Sequence, residues 1–103
     1  MSTSGDDRRR VEVVIHGDVQ GVGFRFHAAR SAARHWIVGW VVNEARGTVR
    51  AVGEGPQAAL DGWLAELRAG PPGSHVTGVD EQWQAATGAF TEFSVRSGGH
   101  SGD

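Results

Sequence analysis

Apolar residues recur along the chain at two different periods, and the change from one to the other predicts where strands and helices lie. Val11, Val13 and Ile15 alternate with polar neighbours and share one face, which predicts a strand over residues 11–17. From Phe24 to His35, apolar and small residues fall at helical spacing instead, which predicts the first helix. The beginning of the chain therefore indicates a strand followed by a helix, with a glycine-containing connection between them.

The second helix has the clearest signature in the chain. Its apolar stripe occupies positions i, i+3, i+4 and i+7 and consists of Leu60, Trp63, Leu64 and Leu67. Pro56 is suited to the first turn of this helix, where a missing N–H group leaves no hydrogen bond unmade. The Gly-Pro-Pro-Gly segment at 70–73 is typical of a helix end and a turn.

Four further segments are predicted to be strands: 37–43, 48–53, 76–84 and 90–96. Because so short a loop, 44–47, joins the first two, those strands must be antiparallel. The order is therefore β-α-β-β-α-β with a short extra C-terminal strand. Two helices that each carry one apolar stripe can cover one face of an antiparallel sheet, so we predict an α+β, ferredoxin-like sandwich.

Composition places this sandwich in a single domain. The chain has 103 residues, a formal net charge of −2 and no cysteine, so disulfides and thiolate metal sites are excluded. Polar, aperiodic ends predict a disordered N-terminal tail at 1–10 and a flexible C-terminal tail at 97–103, around a domain at 11–96. The sequence shows neither a secretory signal nor a membrane span, so we expect a cytoplasmic protein that binds no membrane. It lacks the basic charge of nucleic-acid-binding domains, so we expect no nucleic-acid partner. We also expect a monomer.

The connection between the first strand and the first helix, residues 17–25, is the most informative segment. Glycines at 17, 21 and 23 allow the backbone to curl so that successive N–H groups point into one concavity. The positive end of the following helix adds to that field, and Arg25 offers a planar fork that matches two phosphate oxygens. On shape alone, a glycine-rich turn followed by a surface arginine is the alternative. The segment is neither a Walker loop nor a dinucleotide fingerprint.

The sequence of this segment, GDVQGVGFR, resembles the signature loop of the acylphosphatase family. A second element of that family follows at 39–43, where Gly-Trp-Val-Val-Asn ends a predicted strand, and Gly-Thr-Val follows at 47–49. The resemblance covers residues 11–96 and implies the same ferredoxin-like fold. It also implies an enzyme that hydrolyses acyl phosphates to a carboxylate and inorganic phosphate, with no cofactor and no metal.

The resemblance assigns roles to individual residues. Arg25 matches the arginine that binds the phosphate, and Asn43 matches the asparagine that orients the attacking water. The implied phosphate cradle consists of Val19, Gln20, Gly21, Val22, Gly23, Phe24 and Arg25. The expected partners are an acyl phosphate substrate and inorganic phosphate, which acts as product and inhibitor. One departure from the family pattern is Val42, which stands where many members carry arginine.

The chemistry suits so small a set of groups. A carboxylate leaving group departs without a proton donor, so catalysis depends on positioning and on stabilising charge at the phosphoryl oxygens. An arginine fork with several N–H groups supplies that stabilisation, and an asparagine amide can both donate to and accept from a water. No pair of the five histidines shows metal-ligand spacing on one obvious face; they are His16, His27, His35, His75 and His100.

Two other functions use the same scaffold. An acylphosphatase-like domain opens the hydrogenase-maturation carbamoyltransferases, where it handles carbamoyl phosphate before cysteine-rich zinc segments. The absence of cysteine here favours a free-standing enzyme. An RNA-binding ferredoxin-like domain would need exposed aromatic residues on its central strands and a basic surface. The segment 48–53 lacks the aromatic residues, and the net charge does not indicate a basic surface.

Overall fold

A computed structural model describes residues 7–97 and contains two helices and five strands. In chain order the elements are β1 (Arg8–Asp18), α1 (Phe24–His35), β2 (Val38–Asn43), β3 (Val49–Pro56), α2 (Gln57–Ala69), β4 (His75–Ala85) and β5 (Phe93–Arg96). The predicted β-α-β-β-α-β order with a short extra strand is confirmed, and so is the ferredoxin-like α+β architecture.

The strands form one sheet in the order β4-β1-β3-β2-β5. The first four strands pair antiparallel as expected, but β5 lies parallel to β2, so the sheet is mixed and the prediction of a wholly antiparallel sheet is wrong at this edge. The reason is the connection 86–92, which leads from β4 at one edge to β5 at the other. Since β5 begins at the end of the sheet where β4 stops, it runs opposite to β4 and therefore parallel to β2.

The core lies between the two helices and the sheet face that they cover. The inward positions of β1, which are Val11, Val13 and Ile15, are completely buried. The predicted stripe of α2 packs onto them, and the indole N–H of its Trp63 donates to the carbonyl of Ala28 in α1 at 3.1 Å. A buried aliphatic or aromatic side chain of this size contributes roughly 1.5–3 kcal/mol to stability.

Polar contacts around Glu66 fasten α1 to α2. Nε2 of His35 lies 2.9 Å from one carboxylate oxygen of Glu66, and Arg34 pairs with the other oxygen. Nε2 of His27 donates to the Glu66 carbonyl at 2.9 Å. The pKa of the Glu66 carboxyl is lowered to about 2. The contacts that stabilise this carboxylate are the hydrogen bond of the His35 ring and the ion pair with the Arg34 guanidinium.

Strand boundaries differ from the sequence prediction by up to three residues: β1 begins earlier, β3 ends later, at Pro56, and β5 begins later, at Phe93. β1 begins at Arg8, so residues 8–10 of the predicted tail belong to the sheet, where Arg9 and Arg10 pair with strands on both sides. The guanidinium of Arg9 lies 5.2 Å from the ring centre of Trp83, and Arg10 pairs with Glu54, so both side chains contact the folded domain. The tail predictions for residues 1–6 and 98–103 lie outside the described residues.

Candidate active site

The loop between β1 and α1 has the curled backbone that its glycines predict. Gly21 and Gly23 both adopt φ of +78°, a conformation that a residue with a Cβ atom rarely takes, and Gly23 directly precedes the first helical residue. Within residues 7–97, the N–H groups of 19–23 donate to no other backbone or side-chain group. The loop therefore presents several N–H donors beside the positive end of α1.

Arg25 is the second residue of α1 and is half-buried. Its Nη1 atom donates to the carbonyl oxygen of Arg96, the last residue of β5, at 2.8 Å. The guanidinium of Arg96 in turn lies over the ring of Trp40 in β2, at 4.7 Å from its centre. The end of the extra strand thus fixes the direction in which the Arg25 guanidinium points.

Asn43 is the last residue of β2 and is only 6% exposed. It pairs with Val49 of β3 and lies two residues after Val41, so its side chain is on the helix-covered side of the sheet. Within residues 7–97 its amide has no hydrogen-bond partner, and the amide is not fully enclosed, because Asn43 lines a pocket. The amide is therefore available to a molecule in the adjoining pocket.

A pocket of about 370 Å³ brings the predicted site residues together. Its lining consists of Val19, Gln20, Gly21, Gly23, Phe24, Arg25, Phe26 and Asn43. Arg25 and Asn43 share it although they belong to different elements. Of the predicted cradle, Val22 does not line the pocket, and its side chain packs against the core instead. Phe26 lines the pocket but was not singled out from the sequence.

Gln20 lines the pocket, and its side chain also links the glycine-rich loop to the β2–β3 turn. Its Nε2 atom donates to the carbonyl oxygens of Glu44 at 2.7 Å and Thr48 at 2.9 Å. These two carbonyls flank the turn that follows Asn43, and one amide nitrogen carries only two hydrogens. Both donors of Gln20 are thus used to fasten the glycine-rich loop to the β2–β3 turn.

The same turn is held by a group of charged residues that the sequence did not reveal. The carboxylate of Glu44 accepts from the Thr48 hydroxyl at 2.7 Å and from Nε of Arg50 at 2.7 Å, while Arg50 also pairs with Glu12 of β1. The hydrogen bonds from Arg50 and Thr48 lower the pKa of Glu44. The sequence signal for this group is that its members lie within a few positions of one another around one turn: Glu44, Thr48 and Arg50.

The described part of the chain holds neither a metal-binding cluster nor a membrane-spanning helix. In residues 7–97, no three His, Asp or Glu side chains converge in a way that could hold a metal ion. Over the same range, neither helix has the length and apolar composition needed to cross a membrane. His100 lies outside the described residues.

Fold and pocket together define a ferredoxin-like α+β sandwich whose pocket lies between the first strand–helix loop and the end of β2. Residues 11–95 match the family model named Acylphosphatase, which is nearly the whole of the described chain. The chain belongs to the acylphosphatase family. The family predicted from the loop and from the strand end at 39–43 is therefore confirmed.

Relatives and solved structures agree with this assignment. The chain is 45% identical to an acylphosphatase of Syntrophotalea carbinolica and 47% identical to one of Methylococcus capsulatus, each over 87 residues. Those matches cover 84% of this chain and 95% of each relative. The crystal structure of acylphosphatase from Bacillus subtilis is 31% identical and superposes with a TM-score of 0.83, covering 85% of this chain and 98% of that one.

Proposed function

We propose that the protein hydrolyses the carboxyl–phosphate bond of acyl phosphates, with Arg25 holding the phosphate and Asn43 placing the attacking water. The observation that supports this proposal is the convergence of these two side chains on one pocket, beside a loop whose N–H groups are not used within the described chain. Family membership supports the reaction, and the pocket supports the assignment of the two roles.

Phosphate binding rests on complementary charge and geometry. The guanidinium supplies a permanent positive charge in a planar fork, and the N–H groups of 19–25 supply donors at the N-terminus of α1. These groups stabilise the charge that develops on the equatorial phosphoryl oxygens. Because the loop is fastened through Gln20 and the guanidinium through the Arg96 carbonyl, both are positioned before substrate binds.

The attacking water is assigned to Asn43. The water oxygen forms a bond to phosphorus as the bond from phosphorus to the acyl oxygen breaks, and that electron pair leaves on the carboxylate. A proton of the water passes to a phosphate oxygen. The carboxylate leaves without a proton donor, so positioning of the water and stabilisation of charge are sufficient, and we propose that no cofactor takes part.

Three further properties belong to this proposal. Inorganic phosphate is the product and, because it fits the same cradle, a competitive inhibitor. The protein acts as a monomer. It acts in the cytoplasm, where a chain without cysteine needs no oxidising environment.

Hydrolysis of benzoyl phosphate, measured beside the phosphate monoester p-nitrophenyl phosphate, tests the proposed reaction. We expect turnover of the acyl phosphate and none of the monoester, whose leaving group is a poorer one. EDTA should not change the rate. Hydrolysis of both substrates alike, or a loss of activity in EDTA that a divalent metal restores, would contradict the proposal.

A further inference from the structure

Phe26 is exposed in a place where the fold does not require an aromatic residue. It is 56% exposed, and Trp36 is the only other large hydrophobic side chain that is exposed in the described range. The inward stripe of α1 consists of Phe24, Ala28, Ser31 and Ala32, and Phe26 is not part of it. Its ring therefore contributes little to the core while remaining in contact with water, which is unfavourable.

This ring lines the same pocket as Arg25 and Asn43. An acyl phosphate bound through its phosphate has its acyl group only one bridging oxygen away from phosphorus. Phosphate in the cradle lies against the loop and the guanidinium, so the acyl group must extend toward the open side of the pocket. Phe26 is the strongly exposed apolar side chain of the pocket lining, because Val19 and Phe24 are each only 1% exposed.

The charge of the pocket lining also favours an uncharged acyl group. Arg25 is the only charged residue in the pocket lining within the described chain. An acyl group that carries its own carboxylate or ammonium would find no second charged partner there and would have to lose water beside an aromatic ring. An uncharged aromatic acyl group can instead pack against the ring, offset or edge to face.

We propose that Phe26 determines acyl-group specificity, and that the preferred substrates are acyl phosphates with an uncharged aromatic or bulky apolar acyl group. This inference rests on the proposed function, since it concerns the same pocket and reaction. Removing the ring should therefore change the discrimination between acyl groups without changing the chemistry at phosphorus.

The test compares kcat/KM for benzoyl phosphate and acetyl phosphate in the wild type, Phe26→Ala and Phe26→Leu. Each substrate is compared with itself across the variants, so differences in intrinsic reactivity cancel. We expect Phe26→Ala to lower kcat/KM for benzoyl phosphate about tenfold, within the range for loss of apolar contact in a pocket, and for acetyl phosphate less than about twofold. For benzoyl phosphate, the kcat/KM of Phe26→Leu, which keeps apolar bulk, should fall between that of the wild type and that of Phe26→Ala. Trp36→Ala is the matched control, because it removes an exposed aromatic that does not line the pocket.

A binding measurement separates recognition from catalysis. Phenacylphosphonate and acetonylphosphonate carry the same phosphonate and ketone but differ in a phenyl or methyl group, and neither can be hydrolysed at phosphorus by this reaction. Calorimetry should show that Phe26→Ala weakens binding of the phenyl compound selectively. Equal losses for both compounds, no loss for either, or the same loss in Trp36→Ala would overturn the assignment of Phe26. If the wild type hydrolysed neither acyl phosphate, the proposed function itself would fail, which is a different result from unchanged discrimination.

Discussion

Glu54 and the pocket of Arg25 lie near opposite ends of the sheet, and at each of them irregular backbone presents N–H donors. The carboxylate of Glu54 is completely buried beneath the connection from β4 to β5. It accepts hydrogen bonds from the N–H of Thr87 at 3.0 and 3.1 Å, from the N–H of Gly88 at 3.0 Å and from the Thr87 hydroxyl at 2.7 Å. Arg10 completes the set as a cation. Here the protein supplies its own anion.

The pocket end has the same kinds of donor, but within residues 7–97 no carboxylate accepts from them. The N–H groups of 19–23 donate to no described group, and Gln20 fastens the loop through two backbone carbonyls instead. A cluster of N–H donors can therefore stabilise a fold or bind a ligand, according to whether the chain fills it with a carboxylate. We expect substitutions at the Glu54 end to affect stability and substitutions at the pocket end to affect activity.

Arg25→Ala should produce the largest effect. Removing the permanent charge from the cradle should lower kcat/KM for benzoyl phosphate by about 10³-fold, the upper range for loss of a donor that stabilises developing charge. Arg25→Lys should restore little, because an ammonium lacks the planar fork. The midpoint of urea unfolding should change by less than that of a core variant, since Arg25 is not in the apolar core.

Arg30→Ala is the matched control for this variant, because Arg30 is an exposed arginine of the same helix that does not line the pocket. It should retain activity. Near-normal kcat/KM in Arg25→Ala, or an equal loss in Arg30→Ala, would show that the guanidinium is not the phosphate ligand.

Glu54→Ala should show the converse pattern at the other end of the sheet. It leaves the N–H groups of Thr87 and Gly88 and the cation of Arg10 without their shared acceptor, which should destabilise the fold by about 3 kcal/mol. Urea unfolding measures this loss, and the folded variant should keep kcat/KM within about threefold, far below the losses expected at the pocket end. Asp80→Ala is the control, since that carboxylate is exposed and, within residues 7–97, pairs only with the partly exposed His16.

The same carboxylate makes stability depend on pH. Burial alone would raise the pKa of Glu54, but the hydrogen bonds from Thr87, Gly88 and Arg10 outweigh it and leave the pKa below its ordinary value. A lowered folded-state pKa means that the stabilisation is present above the unfolded-state pKa, about 4.5, and is lost as the pH falls through the folded-state pKa. As the pH is lowered from about 5 through the folded-state pKa, the free energy of unfolding of Glu54→Ala should therefore decrease less than that of the wild type. Parallel pH dependences of the two proteins would contradict this account.

The comparison also shows what the sequence can and cannot predict. Both helices follow from apolar periodicity and from glycine or proline at their ends, and α1 begins and ends where that pattern predicts. The family resemblance of the loop sequence and of the strand end at Asn43 likewise predicted most of the residues that meet in the pocket, although it included Val22 and missed Phe26. These signals are local, because one strand, loop or helix carries each of them.

The contacts that escaped prediction join residues that are distant in sequence. Glu54 binds Thr87 more than thirty positions later, and its residue type is one usually found on the surface. The parallel pairing of β5 depends on that connection, so local patterns could not predict it. Phe26 escaped for a different reason: periodicity places it off the apolar stripe, and its exposure beside the pocket becomes visible only in three dimensions.

Asn43→Ala should separate catalysis from binding within the pocket end. Misplacing the water by about 1 Å can lower kcat on the order of 10²-fold. Phosphate affinity should change by less than about 1 kcal/mol, the scale of one neutral hydrogen bond. Asn43→Asp should weaken phosphate binding more, because its negative charge repels the phosphate dianion.

Steady-state hydrolysis and phosphate calorimetry on the same proteins check this division of roles. Gln84→Ala is the control, since Gln84 is an exposed amide of β4 away from the pocket. A loss of phosphate binding in Asn43→Ala as severe as in Arg25→Ala would place Asn43 in the cradle and end the distinction.

The smallest expected effect comes from filling the pocket with an anion. At ten times its dissociation constant, phosphate that binds only the folded protein should stabilise it by about 1.4 kcal/mol, and for a domain of this size about 1 kcal/mol raises Tm by roughly 4–8 °C. Sodium chloride at matched ionic strength controls for screening. Arg25→Ala should lose most of the shift, whereas Glu54→Ala should unfold at a lower temperature yet show the same shift, because its own anion site is separate. A full shift in Arg25→Ala would mean that phosphate binds elsewhere, and a shift lost in Glu54→Ala would mean that the two ends of the sheet are coupled.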